Sequence, residues 1–383
     1  MGLQLAERPL KVLLIGAANT ITGGGERHIA DLMGGLVERG IEVGLCAPAG
    51  GDMSALAETL GVRLFNADVR RRAPKPDLEA VLRAFEPDIV HAHGSRAALF
   101  ARQADELGAK RSVVTLHGLQ GAHGFGSFAK LALERSVLDN TAHFITVCKA
   151  NREQAAELEI LDSEKTTVIY NGVLLEELAT IEHYRNTRHL SNLIGVDPEF
   201  PILLHIGRIC AEKDQPTLLN AFAWLRAKEP NAQLAMIATG HENAVQKLRK
   251  LVIKLDLDDA IHFLDTHRDP LPLYASCDAF VLPSVWEGLP YTVIEAMAAG
   301  ALVVASEVDG IPEAVIDGIT GMLCQPKEPE KLADILEDAL NTTQTQLKQL
   351  RENARAGIKQ RFMLDDMIKN TISVYERVAG RSA

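Results

Sequence analysis

Two carboxylates, Glu287 and Glu295, bracket a glycine, a proline and a small apolar run in EGLPYTVIEAMAAG, residues 287–300. Paired acids suit general acid–base work, and a hydrolase with two opposed carboxylates is one reading. The spacing favours another. Gly288 and Pro290 leave Glu287 in a loop, and Glu295 falls in the second turn of the helix that follows. The acids need not face one another, and each is expected to grip a different part of one ligand, with the amides of the helix start between them.

Cations with a matching use lie upstream. In GRICAEKD, residues 207–214, Arg208 and Lys213 flank a short loop at the end of the strand-like run PILLHIG. A guanidinium and an ammonium at the carboxyl end of a strand are what a diphosphate requires, although two surface cations at this spacing are also common. Near the N-terminus, TGGGERHIADL follows a strand and opens a helix, so Gly23 and Gly24 let backbone N–H groups approach an anion. A tight turn for helix–sheet packing is the alternative. The dinucleotide fingerprint is absent, because the glycines are contiguous.

His117, in VVTLHGLQG, ends a strand before a Gly-rich loop, a place where either a structural or a ligand-facing histidine fits. His91 and His93, in IVHAHG, share one strand face, but no third metal ligand is evident. Asp256 and Asp258 read as an exposed acidic turn, and no metal site is expected.

These residues sit on a repeating frame. Short β-rich runs such as KVLLIGA, EVGLCAP, IVHAH, SVVTLHG and FITVC alternate with segments of helical period, predicting parallel strands with crossover helices on both faces. The rhythm stops in a polar stretch that closes on Asp197-Pro198 and Pro201, then restarts with PILLHIGR, AQLAMIAT, AFVLP and LVVAS. The expected architecture is α/β. An N-terminal acceptor-binding Rossmann-like domain spans 1–180, a linker 181–200, and a donor-binding Rossmann-like domain 201–360. A C-terminal helix in 361–383 crosses back to the first domain, and the two doubly wound domains face one another across a cleft.

Composition agrees with two domains: 383 residues exceed what one core usually organises, and 47% hydrophobic with 24% charged residues is ordinary for a globular chain. A formal charge of −11 excludes a general nucleic-acid binder. Five scattered cysteines without a CxxC pair suit reduced thiols and offer no zinc site. With no apolar run long enough to cross a bilayer and no secretion signal, a cytoplasmic protein is expected. The basic run Arg70-Arg71-Arg72 with Lys75, and Phe125, Phe128 and Lys130 in the loop 118–136, raise the further expectation of peripheral contact with the inner face of the membrane.

Over nearly its whole length the chain resembles glycosyltransferase family 4, the retaining nucleotide-sugar transferases of the GT-B fold. The motifs that carry the resemblance are GGGERHI, DIVHAHGS, TLHG, VIYNGV, GRICAEKD, CDAFVLPSVWEGLPYTVIEAMAAG and DGIPEAVIDGITGMLC. It implies that Glu287 is the first acid of an E-x7-E pattern and lies against the donor sugar, and that Glu295 is the partner of the ribose hydroxyls. It further implies that Arg208 and Lys213 grip the diphosphate, that Gly23 and Gly24 reach the same phosphates, and that His117 lies by the sugar's primary hydroxyl. Gly288, Leu289, Pro290 and Arg268 complete the implied donor contacts.

The implied reaction needs no metal or other cofactor. It moves a hexosyl group from a UDP-sugar, or a GDP-sugar, to a glycan, lipid-linked or small-molecule acceptor. The sequence departs from the family pattern at Thr239-Gly240-His241, at Asp214 and Asp309 where glycine is common, and at Leu174. Two alternatives stay open: a UDP-GlcNAc 2-epimerase-like enzyme on the same fold, and a non-catalytic sugar-nucleotide-binding protein.

Overall fold

The computed structural model describes residues 8–69, 75–103, 111–118, 131–132, 135, 138–265 and 269–381. The run Arg70-Arg71-Arg72 and most of the loop 118–136, with Phe125, Phe128 and Lys130, lie outside them. The chain divides into two compact units, Met1–Tyr170 with Leu364–Ala383, and Asn171–Met363.

Unit 1 is a parallel sheet of seven strands among the described residues, in the order β3-β2-β1-β4-β5-β6-β7. The strands are β1 (Lys11–Ile15), β2 (Glu42–Ala47), β3 (Arg63–Asn66), β4 (Ile89–His93), β5 (Ser112–Leu116), β6 (His143–Thr146) and β7 (Thr166–Val168). Helices cover both faces, so the central strands read as continuous apolar runs instead of alternating ones. The alternation reappears in what each residue touches. Val12 and Leu14 join the core under the helix Gly24–Glu38 and the C-terminal helix Leu364–Val378, while Leu13 and Ile15 join the core on the other face. The C-terminal helix is thus an integral part of unit 1, with Ile368, Val374 and Tyr375 buried.

Unit 2 repeats the plan with six strands among the described residues, in the order β10-β9-β8-β11-β12-β13. They are β8 (Ile202–Arg208), β9 (Gln233–Thr239), β10 (Ile261–Phe263), β11 (Ala279–Leu282), β12 (Leu302–Ser306) and β13 (Met322–Cys324). Every strand pairing in both sheets is parallel. In each sheet the strand order reverses once, between β1 and β4 in unit 1 and between β8 and β11 in unit 2. The loops that leave those paired strands diverge and open a crevice at their carboxyl ends.

The unit boundaries differ from those expected of the sequence, for identifiable reasons. Asn171 is held in unit 2 by its side-chain bond to the Leu289 carbonyl, 2.6 Å, and Val173 N–H donates to the Phe362 carbonyl at 2.9 Å. The polar stretch 181–200, read as a linker, instead holds most of the helix Leu178–Asn186 and all of the helix His189–Ile194, both packed on the helix Leu271–Ser276. Each buries little, Ile181 from the first and Leu190 from the second, so no apolar stripe marked them in the sequence.

Candidate active site

In unit 2 the crevice between β8 and β11 gathers the residues that the sequence placed far apart. The loop after β8 carries Lys213 and the loop after β11 carries Glu287, and Lys213 Nζ donates to Glu287 Oε1 in an ion pair. The pair is well shielded, the two side chains being only 14% and 11% exposed. Ser284 Oγ, fully buried, donates to the same Glu287 oxygen at 2.6 Å. The two loops are further tied by Val285 N–H to the Glu212 carbonyl, 2.8 Å.

Arg208, at the end of β8, is about half exposed and lies 3.6 Å from Glu212 instead of joining the Lys213–Glu287 pair. Its carbonyl accepts from Gln215 Nε2 at 2.8 Å. His205 lies below, fully buried, with Nδ1 against the Val281 carbonyl at 2.9 Å. Burial holds its imidazole down to about 4, opposed by the Val281 bond and helped to a lesser degree by the neighbouring Lys213 charge, so His205 is neutral at pH 7.

Two aspartates replace the glycines common in the family, and both stand where glycine would be expected on backbone grounds. Asp214 has φ +46° and Asp309 has φ +45°. Aspartate tolerates this left-handed region better than most residues because its short side chain bonds locally. Asp214 Oδ2 accepts from Thr217 Oγ1 at 2.7 Å, at the start of the helix Gln215–Lys228. Asp309 Oδ2 accepts the backbone N–H of Glu287 at 2.6 Å, which fixes the loop that presents the acid.

From Glu287 the chain passes through Gly288, whose carbonyl accepts from Gly310 N–H at 3.1 Å, and Leu289, held by Asn171. Pro290 caps the helix Tyr291–Ala298. Glu295 therefore lies within that helix, apart from Glu287, and its Oε2 accepts from the buried Tyr274 hydroxyl at 3.3 Å. The small residues of EAMAAG end the helix in a Schellman turn: Ala301 N–H bonds Ala296 O at 2.9 Å and Gly300 N–H bonds Met297 O at 3.0 Å, with Gly300 at φ +68°. Arg268 lies outside the described residues.

In unit 1, Gly23 is the N-cap of the helix Gly24–Glu38 and Gly24 its first residue. Gly23 has an extended backbone, φ −128°, open to any residue, and a Cβ there would stand 2.5 Å from Glu26 Oε2, the free end of a flexible side chain that can swing aside. A carboxylate of the chain itself thus lies against the helix entrance. His117 belongs to a histidine cluster that the sequence disclosed only in part. His93 Nδ1 and His117 Nε2 are 3.2 Å apart, the His91 and His93 rings are 4.1 Å apart, and the His28 ring lies 4.9 Å from that of His117. His91 is anchored by Tyr375 hydroxyl at 2.6 Å and Thr115 Oγ1 at 2.7 Å. Burial, reinforced by the neighbouring imidazoles, holds His91, His93 and His117 well below the usual histidine range. Among the described residues no group of three or more His, Cys, Asp or Glu is arranged to hold a metal ion. Nor is any helix there long and apolar enough to cross a membrane.

Sequence reasoning missed Ser284, Asn171, Tyr274 and the functional weight of Asp309. Asn171 stands inside the quoted VIYNGV motif, and that asparagine after a strand was the available signal.

Comparison with known proteins adds the family. Residues 189–357 match the profile of "Glycosyl transferases group 1" and residues 22–177 that of "Glycosyltransferase Family 4". An uncharacterized glycosyltransferase of Methanocaldococcus jannaschii is 25% identical over 377 residues, 93% of this chain and 95% of the relative. A D-inositol 3-phosphate glycosyltransferase of Corynebacterium efficiens is 25% identical over 361 residues, 85% of this chain and 84% of the relative. The crystal structure of Anabaena HepE in complex with UDP and glucose superposes with a TM-score of 0.82 at 22% identity, over 96% of this chain and 100% of that one. With its two parallel-sheet domains and both family profiles matched, the chain belongs to the family 4-like glycosyltransferases of the GT-B fold.

Proposed function

We propose that the protein is a retaining hexosyltransferase that needs no metal, moving a hexosyl group from a nucleoside-diphosphate sugar, a UDP-sugar in the first instance, to an acceptor hydroxyl on a glycan, a lipid-linked or a small molecule. The observation that carries the proposal is the shielded Lys213–Glu287 pair, with Ser284 behind it and the helix start at Pro290 beside it. The name of the Corynebacterium relative and the UDP in the Anabaena structure are consistent with it.

Departure of a nucleoside diphosphate builds negative charge on the β-phosphate, and fixed cations with helix amides stabilise that charge where they are preorganised. Lys213 and Arg208 are assigned that task. Glu287, positioned by Ser284 and by Asp309 through its own backbone, then faces the sugar and stabilises the oxocarbenium-like centre electrostatically. The bond from C1 to the leaving phosphate oxygen breaks with its electron pair on phosphate. The acceptor oxygen bonds C1 from the same face, and its proton passes to the phosphate. Glu295 is assigned to the ribose hydroxyls. Gly23, Gly24 and His117 in unit 1 are assigned to donor binding and to the sugar hydroxyl by the family resemblance.

The test is transfer from UDP-, GDP- and ADP-sugars with and without EDTA, the product's anomeric configuration being followed by NMR. Turnover unchanged by EDTA, with configuration retained, is expected. Loss of activity that magnesium restores would refute metal independence, an inverted product would refute retention, and C2-epimerised sugar would favour the epimerase-like alternative.

A further inference from the structure

The loop that carries Lys213, residues 209–214, is tied at its base by a side chain to which the transfer reaction assigns no part. Gln215 opens the helix Gln215–Lys228, directly after Asp214 at φ +46°, and is fully buried. Its Nε2 donates to the Arg208 carbonyl at 2.8 Å and lies 3.3 Å from His205 Nε2. One amide nitrogen thus joins the first residue of the helix to the last residue of β8, across the whole loop. Cys210 Sγ donates to the same carbonyl at 3.3 Å, a weaker bond.

A third partner fixes the direction of these bonds. A backbone carbonyl only accepts, so His205 Nδ1, 2.9 Å from the Val281 carbonyl, carries the hydrogen. The imidazole is neutral at pH 7, chiefly through burial, which makes Nε2 an acceptor. Gln215 therefore faces two acceptors, His205 Nε2 and the Arg208 carbonyl, and its amide nitrogen has a hydrogen for each. The reverse orientation of the amide would set Oε1 against both. In the observed orientation Oε1 is buried without a hydrogen-bond partner among the described residues. The amide forgoes a partner for its oxygen and keeps both donors engaged.

Lys213 belongs to the same arrangement. A Cβ at Gly207 would stand 3.2 Å from His205 Nε2 and 3.6 Å from Lys213 Cγ, so the imidazole and the lysine stem meet over the bare strand. Ile209 N–H to the Thr239 carbonyl, 2.6 Å, ties the start of the loop to β9, and Val285 N–H to the Glu212 carbonyl ties its far end to the loop after β11.

We propose that Gln215, oriented by His205, is a positioning residue for the donor's diphosphate: it clamps the base of the loop and so fixes Arg208 and Lys213 relative to one another. The role rests on the reading of this crevice as the donor site. Both Gln215 and His205 are fully buried and act through the loop.

The test uses two substitutions of similar shape in the full chain. Gln215→Met keeps the length and loses both donors, and Gln215→Glu sets carboxylate oxygens against both acceptors. Hydrogen exchange without ligand reads the clamp: amides of residues 209–213 should exchange about tenfold faster in both variants, with those of β11 and β12 unchanged. Calorimetric binding of UDP and UMP reads the consequence, because the two differ only in the β-phosphate that Arg208 and Lys213 are assigned to hold. UDP affinity should fall about five- to tenfold in each variant, while UMP affinity stays within about twofold. His205→Phe, which keeps a ring and offers Gln215 no acceptor, should give a smaller loss in the same sense. Equal losses for UDP and UMP would mean a general disturbance of unit 2 and would overturn the positioning role. Unchanged exchange in both Gln215 variants would overturn the clamp itself. A wild type that binds UDP no better than UMP, with the exchange result intact, would instead refute the donor-site reading and confine Gln215 to holding the loop.

Discussion

Asp309 offers a substitution series whose order follows from two separate features of one residue. Its carboxylate accepts the Glu287 N–H at 2.6 Å, and its backbone sits at φ +45°. A hydrogen bond to a charged group contributes about 1.5–3 kcal/mol. A left-handed conformation costs an ordinary L-residue about 1–2 kcal/mol, less for Asp and Asn, and nothing for glycine. Asp309→Asn keeps both an acceptor and the tolerated backbone, so unit 2 should lose about 0.5–1.5 kcal/mol. Asp309→Gly loses the bond and gains unfolded-chain entropy but relieves the strain, for about 1–2 kcal/mol. Asp309→Ala loses the bond and keeps the strain, for about 2–4 kcal/mol. Urea unfolding reads the order Asn, Gly, Ala in increasing cost. If alanine costs no more than glycine, the backbone reasoning is wrong; if asparagine costs as much as alanine, the hydrogen bond does not hold the loop.

Two further predictions concern the same crevice. His205 has a folded pKa held at about 4, below its unfolded value near 6.5, so the unfolded chain takes up the proton first. Stability from this group is therefore full above pH 6.5 and is lost as pH falls towards 4, at about 1.4 kcal/mol per pH unit. His205→Asn, which keeps a donor for the Val281 carbonyl, should flatten the pH dependence of urea unfolding by that slope, and an unchanged slope would count against it. Asn171→Ala leaves the Leu289 carbonyl without its 2.6 Å partner and should cost about 1–3 kcal/mol in the same assay; a cost near zero would show that the Leu289 loop holds without it.

How much of this was legible in the sequence depends on how local the cause was. The parallel sheets were legible because strands covered on both faces spell themselves as apolar runs, as in KVLLI and LVVAS. Arg208, Lys213, Glu287 and Glu295 were legible because loops at strand ends carry chemistry, but only the topology shows that the loops after β8 and β11 adjoin and that Lys213 reaches Glu287. Asp214 and Asp309 looked like departures from the family, yet both keep the backbone conformation that glycine would supply. His91 and His93 could be placed on one strand face, but His28 and Tyr375 come from helices far along the chain, and no local pattern announces such a cluster. The helices within 178–194 were obscured because each buries a single strong apolar anchor.

The most direct measurement of the central claim, that the Glu287 carboxylate acts at the reacting centre, is steady-state transfer and UDP binding by Glu287→Gln beside Glu295→Gln. Glutamine keeps an acceptor for Ser284 and Lys213, so the loop should stay in place. Glu287→Gln is expected to lower kcat by about 10²–10³-fold while UDP affinity stays within about threefold, as for a group felt mainly in the transition state. Glu295→Gln is expected to weaken UDP binding by about tenfold with a smaller change in kcat. Near-normal turnover by Glu287→Gln, or the reverse division between the two acids, would contradict it.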